Sequence, residues 1–338
     1  MKRNALNIIF GVVIGALFIW LSLRNVAIDE FVDIFGEIRL GWVFPYLFIA
    51  FGSIVLRAER WRLLMQKEEM PPGRLNVNSA VALGMMVNYA IPRLGEVSRA
   101  AYVARKEKIS TSNIFGTVVL ERIVDLVTMM LLLLIVLLFT ATDSQTLRSL
   151  FGDETVNLLR IFYDPVNAIL LLTGLIISLL FGYRILKHLL SAANREKARS
   201  SRFRSLIVTF VEGLISIRYI KNWPWFLLLT ALMWLCYILM SYLPFFAFSL
   251  PGIYGLGFGD AIAVTAIASI GVVLPSPGGI GTYHYFVKQT LLVLCAVPAA
   301  TGLAYAVVTH GAMMIVIFTT SMILLVANQV VGRRKRAV

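Results

Sequence analysis

Val272–Phe286 reads VVLPSPGGIGTYHYF, with two prolines and three glycines inside the seven residues from Pro275 to Gly281. Proline removes a helical hydrogen bond and glycine loosens the backbone, so a helix entering this stretch must break. The flanks are apolar, and no charge follows until Lys288. A loop in water would carry polar residues. This one has the composition of a membrane segment and the grammar of a turn.

The rest of the chain supports the membrane setting. Of 338 residues, 59% are hydrophobic and 14% charged, roughly half the charged fraction of a soluble domain. Several runs approach the ~20 apolar residues needed to cross a hydrocarbon core. Full spans are expected near 6–23, 40–56, 113–140, 162–183, 223–248 and 300–327, with interrupted apolar stretches at 77–91 and 261–297. Leu6–Leu23 is long for a signal-peptide core and no small-residue cleavage site follows, so it reads as a retained helix. The expected fold is an all-α polytopic membrane protein, one domain over 1–338. Cys236 and Cys295 are isolated in apolar sequence and read as small hydrophobes.

The net charge is +13, and its placement sets the topology. Segments 57–76, 92–110 and 184–222 and both termini are rich in Arg and Lys. Segments 24–39, 141–164 and 249–260 carry acids, among them Asp29, Glu30, Asp33, Glu37, Asp153 and Glu154. The positive-inside rule puts the basic segments and both termini in the cytoplasm, as in a bacterial inner membrane. Stretch 77–91 then has both flanks inside and must turn back near Pro92 and Gly95. Stretch 261–297 must begin and end outside, turning at Pro275–Gly279.

The opening stretch thus becomes the tip of a re-entrant hairpin. Non-helical backbone at membrane depth requires protein or a water-filled cavity around it. About six full spans and two opposed re-entrant hairpins form an inverted repeat, 40–140 and 223–327, with Pro92-Arg93-Leu94-Gly95 echoing Pro275-Ser276-Pro277-Gly278. Such repeats characterise secondary transporters. The alternative is two proline kinks in ordinary helices.

Three sets of residues are candidates for chemistry. NYAIPRLGEVSRA (Asn88–Ala100) spaces Arg93, Glu96 and Arg99 about one turn apart after a proline break. A helix restarting after Gly95 would offer amides and a positive dipole end to an anion. VVLERIVDL (Val118–Leu126) puts Glu121 and Asp125 on one helix face with Arg122 between. Charges at membrane depth need partners or water, so this set reads as an ion pair or proton relay. The third set is Pro275, Gly278, Gly279, Gly281, Tyr283 and His284, where a histidine beside a hairpin tip could titrate near neutral pH. Arg57, Arg60 and Trp61 read as boundary anchors, and the basic segment from Arg195 as an amphipathic helix on the anionic leaflet. His188 and His310 stand alone. No metal-ligand spacing, catalytic motif or cofactor fingerprint appears, and membrane topology accounts for the basic charge without nucleic acid.

Pro92-x-x-Gly95-Glu96, Glu121-Arg122-x-x-Asp125 and Pro275-x-Pro-Gly-Gly-x-Gly281 together resemble the lysylphosphatidylglycerol synthase transmembrane-region family, also called flippase-like or UPF0104. The resemblance spans nearly the whole chain. It implies the lipid-translocating half of the larger synthases without their soluble aminoacyl transferase. Relatives often carry Glu shortly after the last glycine, where this chain has His284.

The expected function is a non-enzymatic transporter that moves a lipid or lipid-linked phosphate between leaflets. Its headgroup would pass through a polar midplane site, with Glu121 and Asp125 available for proton coupling. Expected partners are membrane lipids, anionic or phosphate-bearing, and a homo-oligomer is compatible with the sequence. No cofactor is expected. Two other classes remain open, an intramembrane enzyme acting on a lipid headgroup and an accessory subunit of envelope assembly.

Overall fold

The computed structural model describes residues 2–24, 26–65, 72–140, 173–174, 184 and 209–337. The expected span 162–183 and most of the basic segment 184–222 lie outside the described residues. All regular structure among the described residues is helical. In chain order the helices are α1 (Lys2–Leu23), α2 (Ile28–Glu37), α3 (Val43–Leu64), α4 (Arg74–Ala90), α5 (Leu94–Glu107) and α6 (Thr111–Thr140). Then come α7 (Trp223–Ala247), α8 (Leu250–Tyr254), α9 (Phe258–Val273), α10 (Thr282–Cys295) and α11 (Ala299–Ala337). Among the described residues, Leu40–Leu64, Trp223–Ala247 and Ala299–Val331 are long and apolar enough to cross a membrane. Large side chains such as Phe44, Phe48, Ile315 and Ile323 are exposed on them, as lipid-facing surface requires and water would penalise.

The chain divides into two units. The first takes residues 1–60, 73–99 and 224–338, the second 61–72 and 100–223.

Two helical hairpins dominate the first unit. In the first, α4 ends at Ala90 and α5 begins at Leu94, so the break falls on Ile91-Pro92-Arg93. In the second, α9 ends at Val273 and α10 begins at Thr282, with one 3₁₀ turn at Pro277–Gly279 between them. Glycine sets the closeness of both. A Cβ on Gly84 would lie 2.8 Å from the Gly95 carbonyl oxygen, and one on Gly271 would lie 2.9 Å from the Thr282 carbonyl oxygen.

Helix α11 shows how the hairpins are disposed. Near its C-terminal end, Ser79 donates to the Leu324 carbonyl and Asn328 donates to Asn76 Oδ1 at 2.6 Å. Both α4 residues lie at the open end of the first hairpin. Helix α10 joins the start of α11 through Ala296, a left-handed residue that ends α10. The open end of the second hairpin therefore lies at the start of α11. Between these ends, Tyr89 from the first tip and Tyr283 from the second both contact the His310 ring, at 5.7 and 5.2 Å between centroids. The hairpins come from opposite ends of α11, and their tips share its middle.

The proline echo falls in a different register from the one expected. Arg93 (φ 64°) at the first tip and Gly278 (φ 58°), the first of three positive-φ glycines at the second, each directly follow a proline. Pro92-Arg93 therefore matches Pro277-Gly278 rather than Pro275-Ser276.

Helix α1 lies across both tips. A Cβ on Gly11 would meet the Pro275 carbonyl oxygen at 3.0 Å and Pro92 Cγ at 3.1 Å. Gly15 faces Ile280, Pro277 and Ser276 at 3.5–3.9 Å. Gly11-Val-Val-Ile-Gly15 is a small-xxx-small stripe, which lets backbones approach closely in a membrane. Farther along, Phe18 packs on Tyr285 and Phe286. The Lys288 ammonium donates to the carbonyls of Leu21, Ser22 and Arg24 at 3.2, 2.9 and 3.3 Å. Carbonyls at a helix C-terminus lack intrahelical donors and carry the negative end of its dipole. A buried lysine satisfies three of them.

Candidate functional site: the meeting of the two hairpin tips

The second tip is held by local chemistry. Pro275 and Pro277 bring no amide hydrogens to the break. The N–H groups of Ser276, Gly279 and Ile280 donate to the carbonyls of Leu274, Ser276 and Pro277. Gly281 N–H donates to His284 Nδ1 at 3.3 Å. Ser276 and Thr282 hydroxyls pair at 2.7 Å, and Thr282 also donates to the Gly279 carbonyl. These four amides are therefore engaged within the tip itself. The glycines act through conformation and space. Gly278 and Gly281 both have positive φ, a region costly for residues with a Cβ. A Cβ at Gly281 would run into the Gly15 carbonyl and lie 2.9 Å from Ile19 N.

Gly278 is where the hairpins meet. A Cβ there would collide with the Tyr89 ring, 2.7 Å from Cε1 and 2.8 Å from Cγ. Around this contact is a ring cluster of Tyr89, Tyr283, His284, His310 and Phe318. Tyr283 and Thr309 hydroxyls pair at 3.0 Å, and the Tyr46 hydroxyl donates to the Thr309 carbonyl at 2.9 Å. His284 and His310 rings lie 4.9 Å apart. His310 Nε2 is buried and makes no hydrogen bond.

Of the residues expected to form a site, Pro275, Gly278, Gly279, Gly281, Tyr283 and His284 all lie at this second tip. Arg93 lies at the first tip and is exposed. Glu96 and Arg99 follow on α5. Asn88 accepts the Gly95 N–H at 2.8 Å and donates to Glu96 at 3.4 Å. Its side chain thus occupies one of the α5 N-terminal amides that the sequence reading offered to an anion. Arg99 is buried, its aliphatic stem against Gly84. Arg57 and Arg60 are buried too, and Arg57 reaches the Tyr237 hydroxyl at 3.5 Å. They are interior groups, contrary to the expected role as boundary anchors.

In the second unit, α6 crosses the segment 209–214 at two glycines. A Cβ on Gly116 would lie 2.7 Å from Leu214 N, and one on Gly213 would lie 3.0 Å from Gly116 Cα. Trp61, another expected anchor, is fully buried and donates to the Thr117 hydroxyl at 2.9 Å. One turn farther along α6, Glu121 is fully buried. Arg122 pairs with Asp125 at 3.7 Å.

Sequence reasoning missed Tyr89, Tyr46, Thr309 and His310. For His310 a signal existed, because it is an ionisable residue inside an otherwise apolar span, which by default suggests function. The glycine stripe of α1 was equally visible.

Three apolar spans among the described residues and opposed, tip-to-tip hairpins define an α-helical integral membrane protein. Residues 8–320 match the family model described as the lysylphosphatidylglycerol synthase TM region, and the chain belongs to that family. It is also similar to a UPF0104 membrane protein of Methanocaldococcus jannaschii, 24% identical over 116 residues, covering 33% of this chain. The chain spans about a third (34%) of the length of that relative. No solved structure matches significantly.

Proposed function

We propose that this protein carries the headgroup of a lipid or lipid-linked phosphate from one leaflet to the other, through the place where the hairpin tips meet, with the acyl chains left in lipid. The observation that carries this reading is the contact between Tyr89 and Gly278. Two discontinuous helical elements from opposite ends of α11 converge there, with hydroxyls and imidazoles inside an apolar bundle. Polar groups at such depth are costly unless they serve a substrate or ion path, and broken helices meeting at mid-depth are how secondary transporters build one. The lipid leaves chemically unchanged. In this reading the membrane is the bacterial inner membrane, both termini are cytoplasmic, and segments 40–140 and 223–327 are the inverted repeats.

Reconstitution tests it. The full chain in phosphatidylcholine liposomes with trace labelled lipids of several headgroup classes should speed leaflet exchange of at least one class over protein-free vesicles. A modified lipid product would instead make it an enzyme. Neither exchange nor product across the panel would leave an accessory role and overturn the proposal.

A further inference from the structure

We infer that His284 and His310 form a shared proton site, which binds one proton together with the phosphate of an anionic headgroup that has no amine of its own. This deepens the transport reading and rests on it.

The two imidazoles come from different elements, α10 and α11, and their rings lie 4.9 Å apart with planes 35° from parallel. His310 is the twelfth residue of the apolar span Ala299–Val331. At 1.5 Å per residue it lies about 16 Å along that helix, within its apolar span. His284 Nδ1 accepts the Gly281 N–H, and among the described residues no hydrogen bond to its Nε2 is seen, so the proton of its neutral ring belongs on Nε2. His310 Nε2 is buried with no hydrogen bond. Buried polar atoms in folded proteins are almost always paired, and an exception calls for a ligand or other cause.

The surroundings define the ligand's charge. The first tip contributes Tyr89 to the pair, and α10 contributes Tyr283. Next to His310, Thr309 is tied to Tyr283 and, through its carbonyl, to Tyr46 of α3. The second tip contributes Gly279, whose Cβ would lie 3.9 Å from His310 Cε1, and the Gly281 N–H. Among the described residues, neither imidazole is seen to contact a carboxylate, lysine or arginine. Lys288 is on the same helix as His284, but its ammonium is bound to the end of α1. A phosphodiester monoanion entering this cluster would be an uncompensated charge in a low-dielectric site. One proton on the pair supplies the matching charge and two N–H donors. A second proton would put two like charges within 5 Å, which the same medium disfavours. Zwitterionic headgroups bring their own ammonium and have no use for the proton. The bound state is therefore neutral overall, and the phosphate and proton travel together.

Proton uptake tests this apart from transport. The full chain in unbuffered detergent micelles near neutral pH is titrated with dihexanoyl-phosphatidylglycerol, dihexanoyl-phosphatidylcholine or glycerol phosphate, while uptake and ligand binding are recorded. The expected result is uptake of about one proton per phosphatidylglycerol bound and none with phosphatidylcholine. The double variant His284→Gln/His310→Gln should lose the uptake. Phosphatidylglycerol binding without uptake, no binding of it, or uptake with glycerol phosphate alone would overturn the proposal. The native protein decides these without the variant. Leaflet exchange without uptake would leave the transport reading standing and remove this one. Uptake without exchange would do the reverse.

Discussion

The Tyr89 ring occupies the space that a side chain on Gly278 would need. Each residue belongs to a different hairpin, so one contact fixes how the two tips meet. Gly278→Ala must push Tyr89 aside and hold alanine at positive φ, the latter alone costing about 1–2 kcal/mol. Leaflet exchange should fall at least about tenfold, as a misplaced site costs far more than its strain. Gly257→Ala, with nothing within 4 Å of the added carbon, should match the native protein. Adding Tyr89→Ala to Gly278→Ala removes the clash but not the positive-φ cost, and gives up the Tyr89 packing on His310 and Phe318, so exchange should not recover. Equal, mild effects at Gly278 and Gly257 would mean that the tips do not form a site.

Arg93 adopts a left-handed conformation at the first tip while its side chain is exposed, with no hydrogen bond or ion pair seen among the described residues. Strain held by a non-glycine residue often marks a functional position. Arg93→Gly should therefore be mildly stabilising in a thermal or denaturant melt, because relief of the ~1–2 kcal/mol left-handed penalty exceeds the added chain entropy of glycine, ~0.5–1 kcal/mol. The same variant should slow exchange of anionic lipids more than that of zwitterionic ones. Destabilisation together with unchanged exchange would count against both parts.

Lys288 joins α10 to the last carbonyls of α1. Lys288→Met keeps the stem and leaves those carbonyls without their donor, a loss of about 1–3 kcal/mol. Limited proteolysis in micelles should then cut near Arg24 at lower protease levels than in the native protein. An unchanged cleavage pattern would show that the glycine stripe holds α1 unaided.

Glu121 is fully buried on α6, and Asp125 on the same face pairs with Arg122. If these acids relay protons, Glu121→Gln should reduce exchange while the protein stays folded in the membrane, and Asp125→Asn should act in the same direction. Normal exchange in both variants would leave the charges a structural role only.

The opposed hairpins also give a sidedness test. With Cys236 and Cys295 replaced by serine, a cysteine at Gly73, beside the open end of the first hairpin, should react with an impermeant thiol reagent from the cytoplasmic side. One at Gly252, in the short helix before the second, should react from the outside. Reaction of both from one side would contradict the inverted arrangement.

The sequence by itself determined the class and the breaks. Apolar runs of membrane length, together with proline and glycine where no helix can continue, dictate local structure through covalent constraints. The interruptions at Pro92 and at Pro275–Gly281 were legible for that reason. What meets what was decided only in three dimensions. The Tyr89–Gly278 contact joins residues 189 positions apart, and no local pattern encodes it. Tyr89 and Thr309 look like ordinary helix residues in the sequence, and their role comes from what faces them. Conversely, Arg57, Arg60 and Trp61 have the composition of a membrane rim, yet packing takes them into the interior. A positive charge near the end of an apolar run has two physical solutions, the headgroup region or a buried partner, and only the surrounding helices choose between them.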